Sequence, residues 1–302
     1  MKEYYKKKGI AIYQCDNLDL LRKMSDRSVN LIYCDILYNT GKVFDDYSDN
    51  LGTPLEAVEW YRPRIQEMKR ILDRSGSIFI HCNWRLDSYM RILMDEIFGP
   101  ACFRNRIYRK HSNTRRFYSN FDSQVDIILY YVKDPTSFVF HETYGDTPQI
   151  VPLYENGYLE GRSEIRRADD IIIDLGSLNK HWLVSKKEFS EMLAQDEVRI
   201  IDGLPYRYTT LIPVGNLWDT EDMLDTYTRT NTAEAYDTPK PDAVLERIIK
   251  TCSNPGDVVA DFFLGGGTTA VVTKKLNRNG IFCDINEKAC ETTVRKLEAL
   301  TK

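Results

Sequence analysis

The sequence predicts an α/β fold, a mostly parallel sheet covered by helices and interrupted once by an insertion. Short runs apolar on both faces, such as "VNLIYCD" (29–35), "SIFIHC" (77–82) and "VVADFF" (258–263), alternate with amphipathic segments. That is the pattern of buried parallel strands joined by helices. The rhythm breaks between about 141 and 235, where the chain turns polar and irregular, and then resumes. A glycine turn, "LGGGTTA" (264–270), stands between a strand and a helix, where open α/β sheets bind ligands.

Taken in order, "IAIYQCD" (10–16) reads as a strand, "LDLLRKM" (18–24) as a helix and "VNLIYCD" as the next strand. A helix over "EAVEWYRPRIQEMKRIL" (56–72), the strand "SIFIHC", a helix over "LDSYMRILMDEIF" (86–98) and the strand "QVDIILYYV" (124–132) complete a first segment, 1–140. The insertion, 141–235, offers a helix near "SKKEFSEMLAQ" and a hairpin in "VRIIDGLPYRYTTL", whose Asp202-Gly203 is a tight-turn signal. The last segment, 236–302, gives the helix "PDAVLERIIKTC", the strand "VVADFF", the glycine turn, the strand "GIFCDIN" ending on Asp284, and the closing helix "EKACETTVRKLEAL".

A chain of 302 residues can bury a large core, and 42% hydrophobic with 28% charged residues is ordinary for a soluble globular protein. No apolar run approaches the roughly eighteen residues of a membrane span. "KEYYKKKG" after Met1 lacks a signal-peptide core, so a cytoplasmic protein is expected. The seven cysteines are scattered without a C-x-x-C pair, and His81, His111, His141 and His181 have no metal-like spacing and read as packing or surface residues, so no metal site is expected. The net charge of -4 conceals a local excess. In "FRNRIYRKHSNTRRFY" (103–118), Arg104, Arg106, Arg109, Lys110, Arg115 and Arg116 stand among aromatics with no acid. Steering depends on such patches rather than on the total.

Gly265, Gly266 and Gly267 precede a helix that begins near Thr268, where backbone N–H groups point outward and no Cβ blocks a ligand. A nucleotide-like cofactor is expected there. Asp284, nineteen residues beyond Gly265, can accept hydrogen bonds from ribose hydroxyls. Gly265-x-Gly267-x-x-Ala270 also fits the dinucleotide fingerprint, but only one strand–helix–strand unit follows it, and Asp261 lies four residues before the first glycine. An acid there would repel a pyrophosphate, yet suits a ligand bearing an amine and a sulfonium. S-adenosylmethionine is such a ligand.

Two motifs then fall into relation. Asp261-Phe262-Phe263-Leu264-Gly265-Gly266-Gly267-Thr268-Thr269 and Asp35-Ile36-Leu37-Tyr38-Asn39-Thr40-Gly41 resemble the cofactor motif D-x-F-x-G-x-G-T-T and the catalytic motif D-P-P-Y of the amino-methyltransferases of DNA, in the order of that family's β arrangement. "CDNLDLLRKMSDRSVNLIYCD", "RSGSIFIHCNW" and "TPKPDAVLERIIKTCSNPGD" are similar to further family segments, so the likeness covers most of the chain. It implies a seven-stranded, mostly parallel, Rossmann-like methyltransferase sheet, circularly permuted. Residues 1–140 would be the catalytic half, 141–235 a target-recognition insertion, and 236–302 the cofactor half.

By the same resemblance, Asp16 and Asn17 would lie near the adenine of S-adenosylmethionine, Asp284 at its ribose, and Thr238 with Lys240 near its methionyl carboxylate. Asp35 and the Ile36 carbonyl would accept the N–H bonds of a target amine, and Tyr38 would stack on a base flipped out of double-stranded DNA. An Asp at the head of the catalytic motif is typical of adenine-N6 enzymes in the family, whereas β-type cytosine-N4 enzymes usually carry Ser or Thr. Here Ile36 and Leu37 replace both prolines, which fix φ and stiffen the loop. A cytosine-N4 enzyme, or a weakened or inactive DNA-binding relative, is therefore the alternative. The basic run, on a connection after the third strand and helix of the catalytic half, would contact phosphates, and the insertion, with Arg162, Arg166, Arg167 and Arg207, would supply base readout. A homodimer and a companion restriction endonuclease are the further partners this kinship suggests.

Overall fold

The computed structural model describes residues 1–43, 48–111, 121, 123–144, 149–209, 213–219 and 240–300. They form two compact units, one of Met1–His141 with Gly215–Lys302 and one of Glu142–Val214.

In the first unit, nine strands among the described residues form one sheet. They are β1 (Lys2–Lys7), β2 (Ile10–Gln14), β3 (Val29–Asp35), β4 (Leu72–Cys82), β5 (Phe103–Lys110), β6 (Val125–Val132), β7 (Leu217–Trp218), β8 (Val258–Asp261) and β9 (Asn279–Asp284). Their spatial order is β1-β2-β9-β8-β3-β4-β6-β5-β7. The run from β2 through β9, β8 and β3 to β4 is parallel. Strand β6 pairs antiparallel with both β4 and β5. The seven strands that the resemblance implied, of which β5 was not read from the sequence, are thus extended by an edge strand at each end, β1 and β7. Neither was legible: "KEYYKK" is too charged to read as a strand, and β7 is two residues long.

Strands β8 and β9, from the end of the chain, sit between β2 and β3 from its beginning. This is the circular permutation the motif order implied. Because the five central strands run parallel, Asp261, Asp35 and Asp284 end β8, β3 and β9 at the same sheet edge.

Helix α1 (Asn17–Leu21) follows β2, and α2 (Pro54–Ile71) and α3 (Asp87–Phe98) flank β4 in sequence. A capping box starts α2, with Thr53 accepting from the Glu56 N–H and the Glu56 carboxylate accepting from the Thr53 N–H. Its buried positions Ala57, Val58, Tyr61, Arg64, Ile65, Met68 and Ile71 recur every three or four residues, so Tyr61 and Arg64 share the inward face.

The second unit has its own core of Leu153, Ala168, Ile173, Leu175, Trp182 and Phe189, and a helix α4 (Lys186–Ala194). Strands Val198–Ile201 and Leu204–Thr209 pair across Asp202 and Gly203, whose φ values of 52° and 74° are those of the primed hairpin turn. Back in the first unit come α5 (Asp242–Cys252), α6 (Thr268–Lys275) and α7 (Glu287–Ala299).

The basic run departs from expectation. Its first half is not a connection but β5, held between β6 and β7, and residues 112–120, with Arg115 and Arg116, lie outside the described residues. Arg109 points inward at 1% exposure, with its Nη2 2.8 Å from Asp126 Oδ2. A guanidinium so enclosed is withheld from DNA phosphates, so the phosphate-binding expectation is corrected for Arg109.

Candidate active site

Strand β3 delivers Asp35 to the edge, and the loop after it is anchored at nearly every residue. The Ile36 N–H donates to the His81 carbonyl (3.1 Å), and the Leu37 carbonyl accepts from the Tyr61 hydroxyl (3.2 Å). Asp49, 4% exposed, accepts from the Asn39 N–H (2.8 Å), the Thr40 N–H (3.0 Å) and the Thr40 hydroxyl (2.6 Å). Asn39 adopts a left-handed φ of 51°, and its side chain donates to the Gly52 carbonyl and accepts from the Leu51 N–H. These bonds supply the rigidity that the absent prolines would have given. The loop is short and polar because Asn, Thr and Gly tolerate the turn and satisfy its backbone.

Asp35 itself is tightly held. Its Oδ1 accepts from the Tyr38 hydroxyl at 3.0 Å, and Lys240 Nζ lies 2.8 Å from its Oδ2. The same ammonium sits 5.2 Å from the centroid of the Tyr38 ring. Burial, then the charge of Asp35, pushes the Tyr38 phenol well above its ordinary value, so it stays protonated and donates.

Beneath Asp35 lies a buried polar chain. His81 stands beside Asp35 in the β3–β4 register, is wholly buried, and pairs its Nδ1 with the Tyr33 hydroxyl at 2.8 Å. His81 Nε2 is 3.5 Å from Asp126 Oδ2, which also binds Arg109. Burial holds His81 below the usual histidine range, and therefore neutral at pH 7. For Asp126, burial pushes upward, but the His81 ring, Lys240 and Arg109 hold it well below the ordinary carboxylate range.

On the other flank, β8 ends on Asp261, and its carboxylate organises the glycine loop. Oδ1 accepts from the Phe263 N–H (2.9 Å) and Oδ2 from the Thr269 hydroxyl (2.6 Å). Asp284 Oδ2 accepts from the Gly265 N–H (2.8 Å). Gly265 and Gly267 take φ values of 51° and 78°, and a Cβ on Gly267 would meet Thr293 Oγ1 at 2.1 Å, so glycine is required there. Thr268 is the first residue of α6. Asp16 caps α1 and Asn17 begins it; the Asn17 amide donates to the Phe262 carbonyl (3.0 Å). Arg64 from α2 ties the two, donating to Asn17 Oδ1 (2.7 Å) and Asp16 Oδ2 (2.9 Å) while stacking on Trp60. The Phe263 ring lies 6.3 Å from that of Trp60 and 6.1 Å from that of Tyr61.

Burial raises Asp261 to about 7, with the charges of Asp35 and Asp284 adding. A carboxyl raised from an unfolded value of about 3.9 stabilises the fold fully below that pH and loses the contribution as pH climbs to about 7. In thermal denaturation, wild type is expected to lose stability relative to Asp261→Asn between about pH 4 and about pH 7, then to run parallel to it. Curves parallel throughout would contradict the assignment. A buried acid crowded by two others is also a fitting lining for a cationic ligand.

The comparisons with known proteins agree with this arrangement of motifs. Residues 29–295 match the model of the N6_N4_Mtase family, described as DNA methylase. The chain belongs to this family of DNA amino-methyltransferases. It is 27% identical to the type II methyltransferase M.EcaI of Enterobacter cloacae, over 94% of this chain and 68% of that protein. It is 26% identical to the DNA adenine methyltransferase YhdJ of Escherichia coli, over 95% and 82% respectively. The structure of M1.HpyAVI with its SAM superposes with a TM-score of 0.54 at 18% identity, covering 95% of this chain and 98% of that one, and shows the shared fold.

Several sites in this methylase sit otherwise than its sequence suggested. Lys240 rests on Asp35, and Thr238 lies outside the described residues. Arg106 Nη2 is 3.3 Å from Asp87, Arg104 is turned to the Ala101 carbonyl, and Lys110 is exposed. In the second unit, Arg166 is buried 4.2 Å from the Trp182 ring centroid and Arg207 is bound to Glu197 at 2.7 Å, whereas Arg162 and Arg167 are exposed. Tyr33, Asp49, Arg64 and Asp126 escaped the sequence reading, and His81 was read there as packing or surface. The signal present, an acid a few residues past Asn39-Thr40-Gly41, is too common to single out Asp49.

Proposed function

We propose that the protein is a site-specific DNA methyltransferase that moves a methyl group from S-adenosylmethionine to the N6 amine of an adenine flipped out of the duplex. The observation that carries the reading is the anchored Asp35–Tyr38 loop beside the Asp261 glycine loop on one sheet edge. Asp16, Asn17, Phe262, Phe263, Gly265, Gly267, Thr268, Thr269 and Asp284 would hold the cofactor, whose chemistry is an electrophilic methyl on a sulfonium. The glycine turn, with Gly265 and Gly267 at positive φ, and the crowded acids suit such a cation. Adenine is favoured by the Asp at the head of the loop and by the naming of one relative as an adenine enzyme.

An exocyclic amine is a weak nucleophile because its lone pair is conjugated with the ring. Asp35 and the Ile36 carbonyl accept its two N–H bonds, which favours a pyramidal nitrogen with the lone pair free to attack. The Asp35 carboxylate also stabilises positive charge growing on that nitrogen; the N–C bond would form as the S–CH₃ bond breaks, the bonding pair staying on sulfur as a neutral thioether, and the proton would then pass from the nitrogen to water. Alignment is the remaining contribution, and the anchored loop provides it. Tyr38 offers its ring face to the flipped base, a contact worth ~1–3 kcal/mol, comparable to the unstacking it offsets.

DNA is the partner. Lys110 would meet phosphates, and Glu142–Val214 would read the target, with Arg162 and Arg167 among its exposed cations. A companion restriction endonuclease and a homodimer are the further partners proposed. Incubation with S-adenosylmethionine and unmethylated genomic DNA, then digestion and mass spectrometry of nucleosides, is expected to yield N6-methyladenine. N4-methylcytosine would overturn the choice of base.

A further inference from the structure

Lys240 makes with Asp35 and Tyr38 the two contacts that the target base needs. Its Nζ is a nitrogen donor 2.8 Å from Asp35 Oδ2, and it lies 5.2 Å from the Tyr38 ring centroid, over a face the base would cover. The pair is largely enclosed, with side chains 11% and 26% exposed.

The charges around it explain the arrangement. Asp35, Asp126 and Asp261 all lie near the Tyr33 hydroxyl, and the Arg109 guanidinium is engaged with Asp126 at 2.8 Å. Among the described residues, Lys240 is the cation paired with Asp35. A sulfonium brought to the neighbouring glycine loop would add a second cation beside the same carboxylate, and the amine gains positive charge as it is methylated. Two cations close together in a poorly screened site repel strongly.

We propose that Lys240 is the resting counter-ion of Asp35, standing where the target amine must bind, and that cofactor binding displaces it and opens the acceptor site to the base. The proposal rests on the methyltransferase reading above. Its consequence is order: cofactor first, flipped base second. A ligand that moves such an equilibrium must favour one state, and the repulsion supplies that preference.

The test uses the full protein and a duplex carrying 2-aminopurine in place of the target adenine of a mapped site, whose fluorescence rises when the base leaves the stack. With wild type, fluorescence is expected to rise only when cofactor is added. Lys240→Met is expected to raise it without cofactor, by roughly tenfold or more over wild type, as loss of one charged hydrogen bond allows. Lys240→Arg, which keeps the charge, is expected to restore the cofactor requirement. Base flipping by wild type without cofactor, or an unaltered requirement in Lys240→Met, would overturn the proposal while leaving methyl transfer intact. Absence of transfer by wild type would overturn both.

Discussion

Asp35→Ala is expected to lower the rate of methyl transfer by at least ~10³-fold, the scale seen when an electrostatic partner of a transition state is removed. Cofactor binding should survive, because among the described residues no bond within the glycine loop or between Arg64, Asp16 and Asn17 involves Asp35, while release of Lys240 from Asp35 shifts the affinity only through the charge beside the sulfonium. The variant also leaves Lys240 without its anion and the Tyr38 hydroxyl without its acceptor. Asp35→Asn, which keeps one acceptor oxygen but turns an NH₂ toward Lys240 or Tyr38, should fall between. Calorimetry with S-adenosylmethionine alongside single-turnover transfer separates the two effects. A large loss of cofactor binding in Asp35→Ala would give Asp35 another role.

Removing the clamp should be almost as damaging, although Asp49 touches no reacting atom in this account. Asp49→Ala leaves two backbone N–H groups and the Thr40 hydroxyl without their acceptor and frees Asn39 and Thr40 beyond Tyr38, while the Gly41 N–H keeps the backbone carbonyl of residue 49. A misplacement of about 1 Å can cost ~10²-fold in rate, so a fall of that order is expected. Unsatisfied buried donors cost ~1–3 kcal/mol each, so the melting temperature should fall as well. The rate is to be measured well below the variant's own melting temperature. A variant that loses stability yet keeps the wild-type rate would mean that the loop needs no such anchoring.

The sheet was legible because its central strands are long apolar runs, and the site's two halves because each pairs an acid at a strand tip with turn residues. What sequence hides is which long-range partner each polar group finds. The basic run from Phe103 announces charge but not direction. In a strand, successive side chains alternate faces, so Arg109 went inward to Asp126 while Lys110 stayed out. The loss of both prolines looked like damage in one dimension. In three, Asp49, Tyr61 and the His81 carbonyl restore the constraint from separate parts of the chain. Lys240 was assigned to the cofactor by likeness alone, and only the fold shows that it lies on Asp35.

On the proposed function, a proline-free loop held by these bonds presents Asp35 as a working acceptor for the target amine. Single-turnover transfer tests it most directly, with wild-type protein in excess over unmethylated DNA and labelled S-adenosylmethionine. Incorporation approaching one methyl group per target adenine is the predicted result. Cofactor and DNA both bound, with no methyl group transferred, would contradict it and leave a DNA-binding relative that has lost the reaction.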